Sequence, residues 1–134
     1  MKKLLFGVCM LLFFASCESK VEINDAAIIG KWKLMSVVAT AEAGKIGSAQ
    51  VVSFADETYF YEFTKDHELY YTWEEERIYH HNAGSWSLWK NLLTTEEWGI
   101  ATVDELTSTK MVLKITETNG SEQLEAVMEF KRLN

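Results

Sequence analysis

From residue 30 onward, apolar and polar residues alternate with a period of two, the pattern of strands that bury one face. The apolar positions are rich in aromatic and β-branched residues, which pack well on a pleated surface. Trp32, Leu34, Ser36 and Val38 are the expected inward set of the first strand, and Tyr59, Tyr61 and Phe63 that of the next clear run. Leu69, Tyr71 and Trp73 alternate against Tyr70, Thr72 and Glu74, and the preceding Lys65-Asp66-His67 has the length of a hairpin turn. Trp86 and Leu88 alternate with Ser85 and Ser87 after Gly84. Towards the C-terminus, Met111, Leu113 and Ile115 run into Asn119-Gly120, and Leu124, Ala126, Met128 and Phe130 follow. Asn-Gly between two alternating runs is a strong hairpin signal, because both residues tolerate positive φ.

Runs near residues 31–40, 50–54, 57–64, 68–75, 77–82, 84–90, 97–105, 110–117 and 122–132 amount to eight or nine short strands. Such closely spaced strands predict an all-β fold, an up-and-down antiparallel β-barrel of about eight strands, since closure removes exposed edges. Proline is absent, so the turns fall to Gly, Asn, Asp and Ser.

The N-terminus follows a different pattern. Met1-Lys2-Lys3 precedes an eleven-residue apolar run, 4–14, and then Ala15-Ser16-Cys17, which is the layout of an export signal. A run of that length is too short to span a bilayer as a helix, which takes about 20 residues. Phe14-Ala15-Ser16-Cys17 resembles the lipobox of bacterial lipoproteins, with Phe14 where that motif more often carries leucine. The resemblance implies that residues 1–16 are a signal peptide, that Cys17 bears lipid, that 17–28 form a lipidated tether, and that 29–134 are the folded domain. It also implies export to the cell envelope, with a lipid anchor in the outer membrane. Cys9 departs with the signal, so no disulfide is expected and the core alone must hold the domain. The remaining 118 of 134 residues suit one domain.

Lys2 and Lys3 also depart, which takes the net charge from −7 by two, to −9. So acidic a domain repels nucleic acid and attracts cationic partners.

Gly30-Lys31-Trp32 opens the first strand and Phe130-Lys131-Arg132 closes the last. Parity puts Trp32 and Arg132 on inward faces, and closure makes the two strands neighbours, so the guanidinium is expected over the indole at one end of the barrel. This arrangement resembles lipocalins, whose first strand begins Gly-x-Trp and whose late Arg crosses that Trp. Tyr61-Glu62-Phe63-Thr64-Lys65 and Gly84-Ser85-Trp86-Ser87-Leu88 extend the likeness to the small lipocalin-like lipoproteins of Gram-negative bacteria. The resemblance implies a compact lipocalin-like (calycin) barrel, monomeric and non-enzymatic, that binds a small hydrophobic or amphipathic ligand. It makes residues 39–50, with Gly44 and Gly47, a candidate lid loop over the open end.

Other chemistry is sparse. His67, His80 and His81 with Glu74, Glu75 and Glu76 have metal-binding side chains, but adjacent strand residues face opposite ways, so His80 and His81 do not line one cavity. No metal site, cofactor or catalytic set is expected, and the nucleophile elbow and phosphate-cradling glycine loop are both missing. The candidate ligand-binding residues are the inward aromatics Tyr59, Tyr61, Phe63, Tyr71, Trp73, Trp86 and Trp98, together with Met128. They line an apolar pocket or fill a solid core; periodicity alone allows both. A rival reading is an interaction module whose acidic outer surface captures a protein, such as a cationic host hydrolase.

Replacing the lipobox thiol, Cys17→Ala, is expected to release the protein from membrane fractions or leave its precursor uncleaved. Unchanged processing and membrane association would refute the lipidation reading.

Overall fold

A computed structural model describes residues 19–42, 48–53, 58–74, 78–119 and 122–133; the export segment, Cys17 and the glycines of the first connection lie outside these. A one-turn helix, α1 (Asp25–Ile28), precedes nine described strands: β1 (Gly30–Glu42), β2 (Ser48–Ser53), β3 (Thr58–Phe63), β4 (Glu68–Glu74), β5 (Ile78–Trp89), β6 (Leu92–Thr95), β7 (Gly99–Leu106), β8 (Lys110–Asn119) and β9 (Glu122–Leu133). Every pairing is antiparallel, and each strand from β3 to β9 pairs with the next.

Closure comes from β1, which pairs with β9 from Lys31↔Leu133 to Glu42↔Gln123. On its other edge β1 carries β3 opposite residues 30–33 and β2 opposite residues 36–41. Thus β2 and β3 share one place in the ring, and the nine strands make an eight-position up-and-down barrel, the architecture of lipocalins.

Three strands take in one extra residue each. Leu34 faces Phe130 and Ser36 faces Glu129, which leaves Met35 as a bulge in β1. Asp104 is the extra residue in β7, and β5 has its bulge at Ala83-Gly84. A bulge bends and twists its strand, as a small closed barrel requires, and it reverses side-chain parity. The expected inward set of β1 is therefore corrected. Trp32 and Leu34 face in, but beyond Met35 it is Val37 and Ala39 that pair with inward Met128 and Ala126, while Ser36 and Val38 face out.

Other boundaries change for similar reasons. The runs read as 77–82 and 84–90 are one strand, β5, bent at Gly84. Gly84 has φ +97, and a Cβ there would fall 1.9 Å from the Glu96 carboxylate, which accepts the Ser85 N–H at 2.6 Å. The short β6 was absent from the expected set of strands. The candidate lid also shrinks: residues 39–42 and 48–50 are paired strand, and 43–47 lie outside the described residues. The expected terminal hairpin is present, with β8 and β9 paired up to Asn119↔Glu122.

The base of the barrel is solid. Trp32, Phe63, Leu69, Leu93, Met111, Leu113 and Phe130 are fully buried there, and Trp86 nearly so. The segment before the barrel is docked across this end instead of standing off as a free tether: Val21 N–H bonds Leu106 C=O at 3.0 Å, and Ile28 is fully buried. Asn24 caps α1 by accepting the Ala27 N–H at 3.0 Å. A helix end leaves carbonyls unpartnered, and here two side chains supply the donors. Trp32 Nε1 donates to Ile28 O at 2.8 Å, while Arg132 donates from Nη1 to Ile29 O at 3.0 Å and from Nη2 to Ala27 O. The same guanidinium lies 4.1 Å from the centre of the Trp32 ring, as parity predicts. Its burial lowers the Arg132 pKa from the ordinary value, yet an arginine so placed stays charged.

Gly30 completes the arrangement. Its φ is +138, and a Cβ would approach Arg132 Nη1 to 2.6 Å. Gly30→Ala is expected to cost about 2 kcal/mol through strain and displacement of the guanidinium. Arg132→Met, which strips two carbonyls of their donor, is expected to cost about 2–4 kcal/mol. Urea unfolding midpoints measure both, and a Gly30→Ala midpoint equal to that of the parent would show that the close approach is not needed.

Candidate functional site

Above the solid base, the barrel is lined differently. The level at which the change occurs is set by β6, which has only four residues. The turn after it crosses low, and hydrogen bonds pin it: Trp98 N–H to Thr95 Oγ1 at 2.8 Å, and Glu96 N–H to Ser85 C=O at 3.3 Å. It sends the Trp98 indole into the barrel against Tyr61, with ring centres 4.7 Å apart, and against Phe130 at 5.9 Å. Trp98, Tyr61 and Met128 thus form a floor over the base.

One arc of wall above this floor is aromatic. Tyr59, Tyr61 and Tyr71 share a face because β3 and β4 pair Tyr59↔Trp73 and Tyr61↔Tyr71. The Tyr59 and Tyr61 hydroxyls lie 3.1 Å apart in a hydrogen bond. Tyr71 stacks on Tyr59 with ring centres at 5.9 Å and on its other neighbour, His81, at 5.0 Å. The remaining arc is aliphatic and small: Val37, Ala39, Ile115, Leu124 and Ala126, joined by Val52 opposite Val37.

Exposure separates the two halves. Inward positions near the base, such as Met111 and Phe130, are 0 % exposed, whereas Val52 and Leu124, on the same inner face, are 50 % and 38 % exposed. Inward-facing aliphatic residues that reach solvent mark an open cup with apolar walls and tyrosine hydroxyls at its floor. Such a lining can surround an apolar body while offering a few polar groups for orientation. A second hollow of about 320 Å³ lies on the outer face beside Met35, with Lys110, Glu129 and Lys131 around it. There the Lys110 ammonium reaches Glu129 at 3.4 Å and Glu105 at 3.7 Å, so that surface is spanned by ion pairs.

The eight candidate residues divide accordingly. Tyr59, Tyr61, Tyr71, Trp98 and Met128 stand at the floor and wall, and Trp73 lies on the same face above them. Phe63 and Trp86 lie beneath the floor; they pack edge to face at 5.6 Å and present no surface to the cup. Trp86 Nε1 donates to Thr64 O at 3.1 Å, which fixes it in the base. Sequence reasoning missed Val37 and Ala39, whose parity depends on the Met35 bulge, and His81, whose stacking on Tyr71 follows from the β4–β5 register; it put Ile115, Leu124 and Ala126 on alternating apolar faces without assigning them to the site. His67 belongs elsewhere: its Nε2 is 2.9 Å from an Asp25 carboxylate oxygen in the base, and its ring lies on Trp86.

Burial raises the Tyr61 phenol well above the ordinary tyrosine pKa, and the Tyr59 hydrogen bond and the charge of Glu97 push the same way. A hydrogen bond with Trp98 acts in the opposite sense. Glu97 precedes Trp98 in the turn after β6.

The solved structures that align with this chain include two of odorant-binding proteins. One, titled "Odorant Binding Protein OBP1", has 15 % identity and a TM-score of 0.47, with 85 % of this chain and 79 % of that chain covered. The other, bovine odorant-binding protein in complex with a selenium-containing odorant, has 15 % identity and a TM-score of 0.46, with 89 % and 78 % covered. No protein-family model matches the sequence, and no curated protein matches it.

A raised folded-state pKa on a tyrosine favours the protonated form in the fold. Its contribution to stability is full below the unfolded value of 10.0 and is lost as pH rises beyond it. Near-ultraviolet titration is expected to show one tyrosine that ionises only as the protein unfolds in alkali, and Tyr61→Phe should remove that phase and flatten the alkaline loss of stability. A Tyr61 that ionises in the folded protein near the ordinary value would contradict the buried floor.

Proposed function

We propose that this protein is a non-enzymatic, lipocalin-like binding protein that holds a small hydrophobic or amphipathic molecule in the open half of its barrel. The observation that carries the reading is the change of lining at Trp98: solid core below, and inward-facing Val52 and Leu124 still open to solvent above. A core that needed only to be stable would bury these side chains, at roughly 25 cal/mol per Å² of apolar area gained. Leaving them wet is a cost that a bound apolar molecule would recover.

In this reading Tyr59, Tyr61, Tyr71 and Trp98 supply the floor and one wall, Met128 fills the gap beside them, and the tyrosine hydroxyls orient a polar group of the ligand. Trp73 would contact the ligand nearer the mouth. The small side chains Ala39 and Ala126 leave width for it. Lipidation at Cys17 would hold the cup at a membrane surface, close to any amphipathic molecule that partitions there. Acyl chains suffice for that anchoring, since each buried methylene contributes about 0.8 kcal/mol.

Titration with an apolar probe such as decanol, followed by Trp98-dependent fluorescence, tests this function. Saturable binding is expected, weakened by roughly tenfold, or about 1.4 kcal/mol, in Ala39→Phe, which fills the cup without touching the base. Absence of binding, or binding indifferent to Ala39→Phe in a variant with an unchanged circular dichroism spectrum, would overturn it.

A further inference from the structure

The cations of this barrel are sorted by end, whereas carboxylates such as Asp25, Glu68, Glu105 and Glu129 accompany them at the base. Lys31, Lys33, Lys65, Lys90 and Lys131 all lie at the solid base, at the first residues of β1, the last of β9, or the turns β3–β4 and β5–β6. At the open end, β1, β4 and β9 begin or finish on Glu42, Glu74 and Glu122. Glu117 is exposed there on the inner face of β8, opposite Leu124, and Glu96 and Glu97 occupy the turn that carries Trp98. Among the described residues no lysine or arginine stands at that rim; Lys114, at the level of Ile115, faces outward and pairs with Glu125 at 3.5 Å.

The interior repeats the bias. Among the described residues, Arg132 is the sole lysine or arginine at an inward position. It lies under Trp32 and is engaged by the carbonyls of Ala27 and Ile29. The carboxylate of a fatty acid entering the cup would meet tyrosine hydroxyls but no lysine or arginine, and would approach the like charges of Glu97 and Glu117. A cation would meet the opposite. Tyr59 and Trp98 are only partly buried beside the floor that Tyr61 completes, with Tyr71 held between Tyr59 and His81, and tyrosine and tryptophan rings attract ammonium groups by roughly 0.5–2 kcal/mol. Glu97, which acts electrostatically on Tyr61, and Glu117, on the inner face of the rim, add carboxylates above them. Low-dielectric walls strengthen such a field over its value in bulk water.

Building on the reading of the upper barrel as a ligand cup, we propose that the cup selects cationic amphiphiles: an apolar or aromatic body carrying an amine or quaternary ammonium group. The body lies against Val37, Ala39, Ile115 and Ala126, and the positive group sits between the tyrosine faces and the rim carboxylates.

Three probes with the same tail separate this inference from the reading beneath it: decyltrimethylammonium, decanol and decanoate, titrated calorimetrically into the purified protein at low and high salt. The expected order is cation, then alcohol, then carboxylate, with cation and carboxylate at least about tenfold apart at low salt and the gap narrowing as salt screens the rim. Glu97→Gln combined with Glu117→Gln is expected to shrink the ratio of cation to alcohol affinity several-fold. Decanoate binding as tightly as the cation, or a ratio unmoved by the double substitution, overturns the charge selection and leaves the cup standing. Failure of all three probes removes the cup itself, and the selection with it.

Discussion

The Arg132 side chain joins the two ends of the fold. It lies over the Trp32 ring and donates to carbonyls of Ala27 and Ile29, so the last strand, the first strand and the preceding helix meet at one guanidinium. Each contact alone is modest, a cation–π interaction and two charge-assisted hydrogen bonds, but all are partly shielded from water, where such contacts are strongest. Gly30 leaves the space that the guanidinium fills, and Trp32 supplies the third donor to the same helix end. Closing the base in this way fixes the register of β1 on β9, and with it the face of every residue above. A sheet of eight positions that is locked at one end needs no plug at the other.

The cup follows from that asymmetry. Large side chains fill the barrel up to the Trp98 floor; beyond it aromatic rings line one arc and small or solvent-exposed aliphatic residues the other. The short β6 sets the height of the floor, because its turn carries the indole inward at that level. Core and exposed apolar surface are thus separated along the barrel axis: the base has the buried aromatic core, and the open half presents apolar surface that the fold does not consume. Cations are unevenly spread along the same axis: most lysines stand around the base, where Lys110 pairs with Glu105 and Glu129, while Glu96, Glu97 and Glu117 stand toward the mouth.

How much of this can be read from the sequence depends on how local each feature is. The Asn119-Gly120 hairpin, the Lys65-Asp66-His67 turn and the alternation of β3, β4, β8 and β9 are carried by neighbouring residues and are legible there. The pairing of Trp32 with Arg132 is legible as well, because closure of an up-and-down barrel makes the terminal strands neighbours. The Met35 bulge is not, since an extra residue in β1 is defined only by what β9 places opposite it. Its parity reversal hides Val37 and Ala39 behind an apparently regular Trp32–Leu34–Ser36–Val38 alternation. β6 escapes notice because four residues hold too few positions to show a period, and residues 39–42 look like loop because small side chains carry little hydrophobic signal even when paired. In the candidate site, aromatic identity marks Tyr59, Tyr61, Tyr71 and Trp98, but the depth that separates them from Phe63 and Trp86 is a tertiary property.

Methyl and backbone NMR spectra recorded during titration with decanol test most directly the claim that one barrel is solid at its base and open above. The account predicts shifts confined to the cup, at Val37, Ala39, Val52, Ile115, Leu124, Ala126 and Met128, the backbones of Tyr59, Tyr61, Tyr71 and Trp73, and the Trp98 indole N–H, while Leu69, Leu93, Leu106 and Met111 stay fixed. Shifts that spread through those base residues, or that fall on the outer face around Met35 and leave the cup unaffected, would contradict it.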